Sequence, residues 1–238
     1  MRIIGRLDIK NDFVIKGINF EGLRKIGKPL DLAKKYYDLQ IDELIFIDAV
    51  ASLYNRNNLF KIIESATEKI FCPITLGGGI RSLKDIEIAM TSGVDKVAIN
   101  SHALEKPNFI TDAVKNFGSS NIVLNIETKQ ISKSKWEVYK HYGREKTGID
   151  LCDWIKKVQN LGCGEIILTS IDKEGAQEGM DFNLLDHVIN IIERPLIFSG
   201  GLSDKSEIIK LKKYKGVSVS IASGLHYDKL KIVELKNA

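Results

Sequence analysis

Two carboxylates stand where chemistry could be done. Asp8 closes the apolar run Ile3–Ile9, and Glu127 follows the apolar run Ile122–Ile126. Paired carboxylates divide into acid and base when their surroundings separate their pKa values. The alternative for each is a loop cap or an ion pair with a lysine such as Lys16. Lys16 itself suits a cation that positions an anionic substrate. Two glycine runs, Gly77–Gly79 and Gly200–Gly201, each follow an apolar run and precede a helical pattern. Glycines there let the backbone approach a ligand and turn its N–H groups outward. The positive end of the next helix then favours an anion.

The glycine runs belong to a repeat. Gly78 and Gly200 are 122 residues apart, as are Ser101 and Ser223, and Glu43 and Glu165. One offset at three places marks an internal duplication. Each half then carries one anion site, and the simplest ligand has a phosphate at each end.

Strands are expected at Ile3–Ile9, Leu44–Ile47, Ile74–Leu76, Lys96–Ile99, Ile122–Ile126, Ile166–Leu168, Leu196–Phe198 and Val217–Ile221. Helical spacing lies between them, at Leu30–Leu39, Asn58–Ile70, Leu83–Met90, Phe109–Phe117, Ile149–Leu161, Leu184–Ile192 and Ser206–Tyr214, with a short last helix from about Tyr227. Phe13–Lys16 reads as a hairpin arm, residues 17–28 as a mobile loop and 128–146 as a hairpin excursion. Near-continuous apolar strands alternating with helices indicate a parallel sheet. The two-fold repeat favours a closed (β/α)8 TIM barrel over an open doubly wound sheet. The chain is thus expected to be one barrel domain, 1–238, of half-barrels about 1–120 and 121–238. The expected C-terminal strand ends are Asp8, Asp48, Gly77, Asn100, Glu127, Ser170, Ser199 and Ser223, all small or polar, as a site requires. Arg2, Glu43, Lys96 and Glu165 fall near strand starts. They form either a stabilising ion cluster or a gate across the barrel axis.

Composition narrows the class. The chain has 238 residues, 44% hydrophobic and 28% charged, with a net charge of +4. Its lysines are scattered among acids, which argues against nucleic acid but is compatible with phosphorylated small molecules. No apolar run reaches the ~18–20 residues of a membrane span, and the N-terminus lacks a signal-peptide core. Cys72, Cys152 and Cys163 have no metal-ligand spacing, and the four histidines are dispersed. No metal or cofactor is expected, and a reducing cytoplasm fits.

At this point Leu7–Lys10, Val14–Gly17, Asp42–Leu44, Gly77–Ile80, Asp95–Asn100, Gly164–Asp172 and Ser199–Gly201 carry a resemblance over almost the whole chain. The sequence resembles the HisF family, the cyclase subunit of imidazole glycerol phosphate synthase in histidine biosynthesis. The resemblance implies a glutaminase (HisH-like) subunit docked on the N-terminal face of the barrel. Ammonia would pass a gate of Arg2, Glu43, Lys96 and Glu165 and travel the barrel axis. It would react with a bis-phosphorylated ribulosyl-formimino aminoimidazole carboxamide ribonucleotide (AICAR), giving imidazole glycerol phosphate and AICAR. Asp8 and Glu127 match the catalytic positions. Gly78, Gly79, Asn100 and Ser101 match one phosphate site; Gly200, Gly201, Ala222 and Ser223, beside Ser199, match the other.

Three departures touch the active face. Glu127 stands where the family has Asp, Arg6 where it usually has a cysteine, and Glu174, Gly175 and Ala176 where Asp-Gly-Thr is expected, which removes a hydroxyl. They motivate a second reading: a paralogous ammonia-channelling subunit serving another amidation, such as amidino-sugar synthesis for a bacterial surface polysaccharide or flagellin glycan. A third reading, an aldose–ketose isomerase on the same barrel, is disfavoured by the retained gate.

Overall fold

The computed structural model describes residues 1–51 and 59–238. Eight parallel strands close into a barrel: β1 (Ile3–Lys10), β4 (Glu43–Asp48), β5 (Ile74–Gly77), β6 (Lys96–Ile99), β7 (Ile122–Ser132), β10 (Glu165–Ser170), β11 (Leu196–Ser199) and β12 (Val217–Ile221). Pairing of β1 with β12 and of β7 with β10 completes the closure. The expected (β/α)8 TIM barrel is the fold. The repeat is visible in it, because β4 and β10 share the 122-residue offset at both ends, as do β5 and β11.

Four further strands are not part of the barrel wall. β2 (Phe13–Ile18) and β3 (Glu21–Gly27) form an antiparallel hairpin beyond β1. β8 (Lys135–Lys140) and β9 (Glu145–Asp150) extend antiparallel from the long β7. Residues 17–28 are therefore mostly strand and not the loop expected from their glycines and charges. The β2–β3 turn is the pair Asn19 and Phe20, both at positive φ, the backbone of a two-residue hairpin turn that matches the strand twist.

The helices follow the expected spacing with shorter ends. Phe60–Thr67 is the described part of the helix expected at 58–70; Asn58 lies outside the described residues. The last helix does not begin at Tyr227. Its place is taken by Ser223–His226 and Ile232–Lys236. Side-chain capping sets some of the starts: Ser82 and Asp85 close a capping box on Leu83–Thr91, and Asp150 accepts the N–H groups of Cys152 and Asp153. Among the described residues no helix is long and apolar enough to cross a membrane.

Strand periodicity divides the core. Ile3, Leu7, Leu44 and Phe46 pack outward against the helices. Ile4, Ile45, Ile47, Ala98, Val123, Ile167 and Ile197 form a separate cluster inside the barrel. A third cluster, Ile15, Phe20, Ala49, Tyr142 and Ile171, lies over the C-terminal strand ends.

Candidate active site

Asp8 ends the inward series Ile4, Arg6, Asp8 on β1 and is fully buried. The Arg6 Nε donates to Asp8 Oδ1 at 2.9 Å, and Lys16, on β2, lies 3.6 Å from Oδ2. Burial opposes the charge on Asp8. The cations Arg6 and Lys16 outweigh it and hold the carboxyl below its ordinary range.

Glu127 lies within β7, on the same buried level, and is in a different environment. Its Oε2 accepts from Asn100 Nδ2 at 3.1 Å and from the Gly143 N–H at 2.9 Å. Asn125 Nδ2 is 3.5 Å from Oε1. Burial pushes this carboxyl up to about 7, aided by the charge of Asp8 and opposed by Arg6 and the Gly143 N–H. The two carboxyls are thus displaced in opposite directions. That is the condition for one to act as base and the other as acid near neutral pH.

A roof covers the pair. The Phe20 and Tyr142 rings meet with centroids 4.1 Å apart, one from each hairpin. Burial also raises the Tyr142 hydroxyl well above its ordinary pKa. Lys16 forms an ion pair with Glu174, and the Asn19 N–H donates to the Glu174 carbonyl at 2.7 Å. Gly175 packs on the Gly17 carbonyl, where a Cβ would collide. Glu174 and Gly175 therefore serve the closure between the β2 hairpin and the segment after β10. The Glu174 carboxylate also faces Gly200, where a Cβ would lie 3.5 Å from its Oε2.

The glycine runs form two such cradles. Gly78 and Gly79 have φ of 90° and 74°, and a Cβ at Gly78 would strike the Asp48 backbone. Asn100 and Ser101 begin the helix Ser101–Glu105 beside them. A cavity of about 180 Å³ joins Gly78, Gly79, Asn100 and Ser101 to Asn125, Glu127 and His141. In the other half Gly200 and Gly201 have φ of 108° and 90°. A Cβ at Gly201 would strike the Gly179 carbonyl. Ala222 and Ser223 begin the helix Ser223–His226 there. The Ser199 hydroxyl faces Ser220 at 3.0 Å inside the barrel. Asp48, at the end of β4, accepts the N–H groups of Val50 and Ala51 and orders that turn.

At the opposite strand ends the four predicted ions form a ring. Arg2 reaches Glu43 at 2.8 Å and also pairs with Glu165. Lys96 reaches Glu43 at 2.9 Å and Glu165 at 2.8 Å. Thr75 and Ser218 each add a hydrogen bond.

The chain was compared with known proteins. The model of the family described as histidine biosynthesis protein matches residues 2–231. The imidazole glycerol phosphate synthase subunit HisF of Legionella pneumophila is 47% identical over 207 residues, covering 87% of this chain and 98% of that relative. The subunit of the same name from Lactococcus lactis subsp. cremoris is 44% identical over 237 residues, covering 99% and 92%. That from Streptococcus sanguinis is 40% identical over 238 residues, covering 100% and 94%. The chain belongs to the histidine biosynthesis protein family.

Within this family's barrel the structure brings together Asp8, Lys16, Asn100 and Glu127, all expected from the sequence. Thr169, Asn125, Phe20, Tyr142 and His141 also belong to the site and were not foreseen. Thr169 and Asn125 carry a usable signal, since each is a polar residue at an inward position of an apolar strand. Phe20, His141 and Tyr142 sit in turns, where only the hairpin geometry brings them over the barrel mouth.

Proposed function

We propose that the chain is the ammonia-using cyclase subunit of an imidazole glycerol phosphate synthase. Its substrate is the bis-phosphorylated ribulosyl-formimino-AICAR intermediate, which it converts to imidazole glycerol phosphate and AICAR. The observation that carries this reading is the pair of buried carboxyls displaced in opposite directions between two glycine cradles. Each half-barrel, 1–120 and 121–238, supplies one cradle and one carboxyl. The substrate's phosphates occupy Gly78, Gly79, Asn100 and Ser101 at one end and Ser199, Gly200, Gly201, Ala222 and Ser223 at the other. Ionised Asp8 removes a proton as nitrogen attacks, and protonated Glu127 returns one to the atom that gains charge. The roof of Phe20 and Tyr142 opens for entry and excludes water when closed.

Ammonia arrives from below. The ring of Arg2, Glu43, Lys96 and Glu165 serves as the gate, and the apolar layer above it as the passage. A glutaminase docks on the N-terminal face, where Met1, Leu39 and Phe71 expose apolar side chains on the segments leading into β1, β4 and β5. A groove of about 700 Å³ lined by Met1, Arg2, Glu43 and Lys96 opens there. Reducing cytoplasm is the setting.

The departures at Glu127, Arg6 and Ala176 motivate a second reading in which the barrel only delivers ammonia to another amidation. Turnover of the bis-phosphorylated ribulosyl substrate with ammonium salt separates the two. The cyclase turns over, and Asp8→Asn lowers kcat by roughly 10²–10⁴-fold. A folded protein that stimulates a glutaminase yet turns over no ribulosyl substrate leaves the delivery reading.

A further inference from the structure

Arg6 is the largest fully buried side chain among the described residues. It lies inside the barrel, two residues before Asp8, above the apolar layer of Ile4 and Ile167. A guanidinium presents five N–H donors in a fixed fork. Here Nε donates to Asp8 Oδ1, and Nη1 donates to Thr169 Oγ1 at 3.0 Å. Nη2 is buried and among the described residues has no hydrogen-bond partner. The Phe20 ring lies 5.9 Å above. An arginine held only for packing would have its donors satisfied, because a buried, half-paired cation is costly.

The consequence falls on Asp8. Its Oδ1 is tied to the guanidinium, so its orientation is fixed. Among the described residues its Oδ2 has no hydrogen-bond partner, and the Lys16 ammonium lies 3.6 Å away. One oxygen is thus held and the other left for a ligand. Among the described residues Glu127 has no cation bonded to it; its partners are the neutral donors of Asn100, Asn125 and Gly143. The charged or titratable groups around Arg6 are Asp8 on its own strand, Glu127 on β7, Tyr142 from the β8–β9 turn and Glu174 after β10. Lys16 on β2 and His226 act on Asp8 itself.

We infer that Arg6 is the positioning residue of the carboxylate pair, clamping Asp8 as the ionised base with one oxygen presented to substrate and leaving Glu127 as the proton donor. The inference rests on the acid–base reading of the site proposed above. A guanidinium keeps its proton throughout the working pH range, so the clamp on Asp8 does not change with pH. The opposite displacements of the two carboxyls agree with it.

The test is a carboxyl ¹³C NMR titration of the full-length protein, with Asp8→Asn and Glu127→Gln spectra used for assignment. Asp8 is expected to titrate below its ordinary value of ~3.9. In Arg6→Gln, and in the apolar Arg6→Met, it moves up by about one unit or more, while Glu127 moves up less. Arg6→Lys keeps most of the wild-type position. In turnover, Arg6→Gln shifts the acid limb of the pH profile upward. Its kcat also falls about 10-fold at pH 6, above that limb, because Asp8 is no longer held in one orientation, with KM changed far less, since the phosphate cradles are intact. An Asp8 that titrates at or above its ordinary value in the wild type overturns the inference, and so does an unmoved Asp8 in either folded neutral variant. A wild type that turns over no ribulosyl substrate would overturn the cyclase reading alone, because the titration judges Arg6 without turnover.

Discussion

Two clusters of ions sit on one barrel axis, and they are built differently. At the N-terminal end each cation spans both acids: Arg2 and Lys96 each pair with Glu43 and with Glu165. Neutral hydroxyls complete the ring: Thr75 donates to Glu43 and Ser218 accepts from Arg2. At the C-terminal end Arg6 Nη2, Asp8 Oδ2 and Asn125 Oδ1 have no hydrogen-bond partners among the described residues. A reciprocated cluster has settled its desolvation cost internally. An unreciprocated one keeps that cost, which persists where an absent ligand supplies the missing partners. The difference assigns a structural duty to the ring, alongside any gating, and a chemical duty to the upper cluster.

The sharpest way to break this contrast is to remove one ion from each end. Asp8→Asn keeps the shape and removes the base. It is expected to lower kcat roughly 10²–10⁴-fold and to lower the thermal midpoint as well, since the buried Arg6 loses its carboxylate partner. Lys96→Met leaves Glu43 and Glu165 sharing Arg2 alone. It is expected to destabilise the fold by about 3 kcal/mol, a fall of roughly 10 °C in midpoint for a chain of this length. Calorimetry of both variants checks the pair. A Lys96→Met protein as stable as the wild type would show that reciprocation at the ring adds nothing.

The contrast sharpens further with Glu127→Asp, which retracts the carboxyl by one methylene. The Asn100 and Gly143 bonds are set for the longer side chain. A displacement of about 1 Å is expected to lower kcat by up to ~100-fold, and steady-state turnover at pH 6 measures it. A gain instead would mean that the pocket around β7 still suits an aspartate.

The barrel was legible in the sequence for a physical reason. Parallel strands buried on both faces read as apolar runs, and β6 and β12 were bounded to the residue, Lys96–Ile99 and Val217–Ile221. The duplication doubled each signal. Asp8, Asn100 and the ring were legible because strand starts and ends on a barrel have fixed places. The hairpins were not. β3 is exposed or half-buried along its whole length, so no apolar alternation marks it, and its turn of Asn19 and Phe20 lacks the glycine that usually announces one. Phe20 and Tyr142 are 122 residues apart, yet their rings are in contact. Only barrel closure, which places β1 beside β12 and β7 beside β10, brings the two hairpins over one mouth.

A further expected effect is on stability as a function of pH, and it isolates Glu127. Its folded carboxyl is raised to about 7 by burial, against ~4.3 in an unfolded chain. Between those values the folded state holds a proton that the unfolded state has released. Stability from this group is therefore full below about pH 4.3 and is lost as pH rises towards 7. Asp8 has the opposite sign. Its folded carboxyl is depressed, so its contribution is present above ~3.9 and is lost as pH falls below that value. The two windows do not overlap, and subtracting Glu127→Gln from the wild type leaves the first alone. The difference in unfolding free energy is expected to be flat below pH 4 and to step against the wild type by on the order of 4 kcal/mol by pH 8. Denaturant unfolding at a series of pH values measures it. A flat difference would mean that Glu127 ionises at an ordinary pH, leaving the site two bases and no acid.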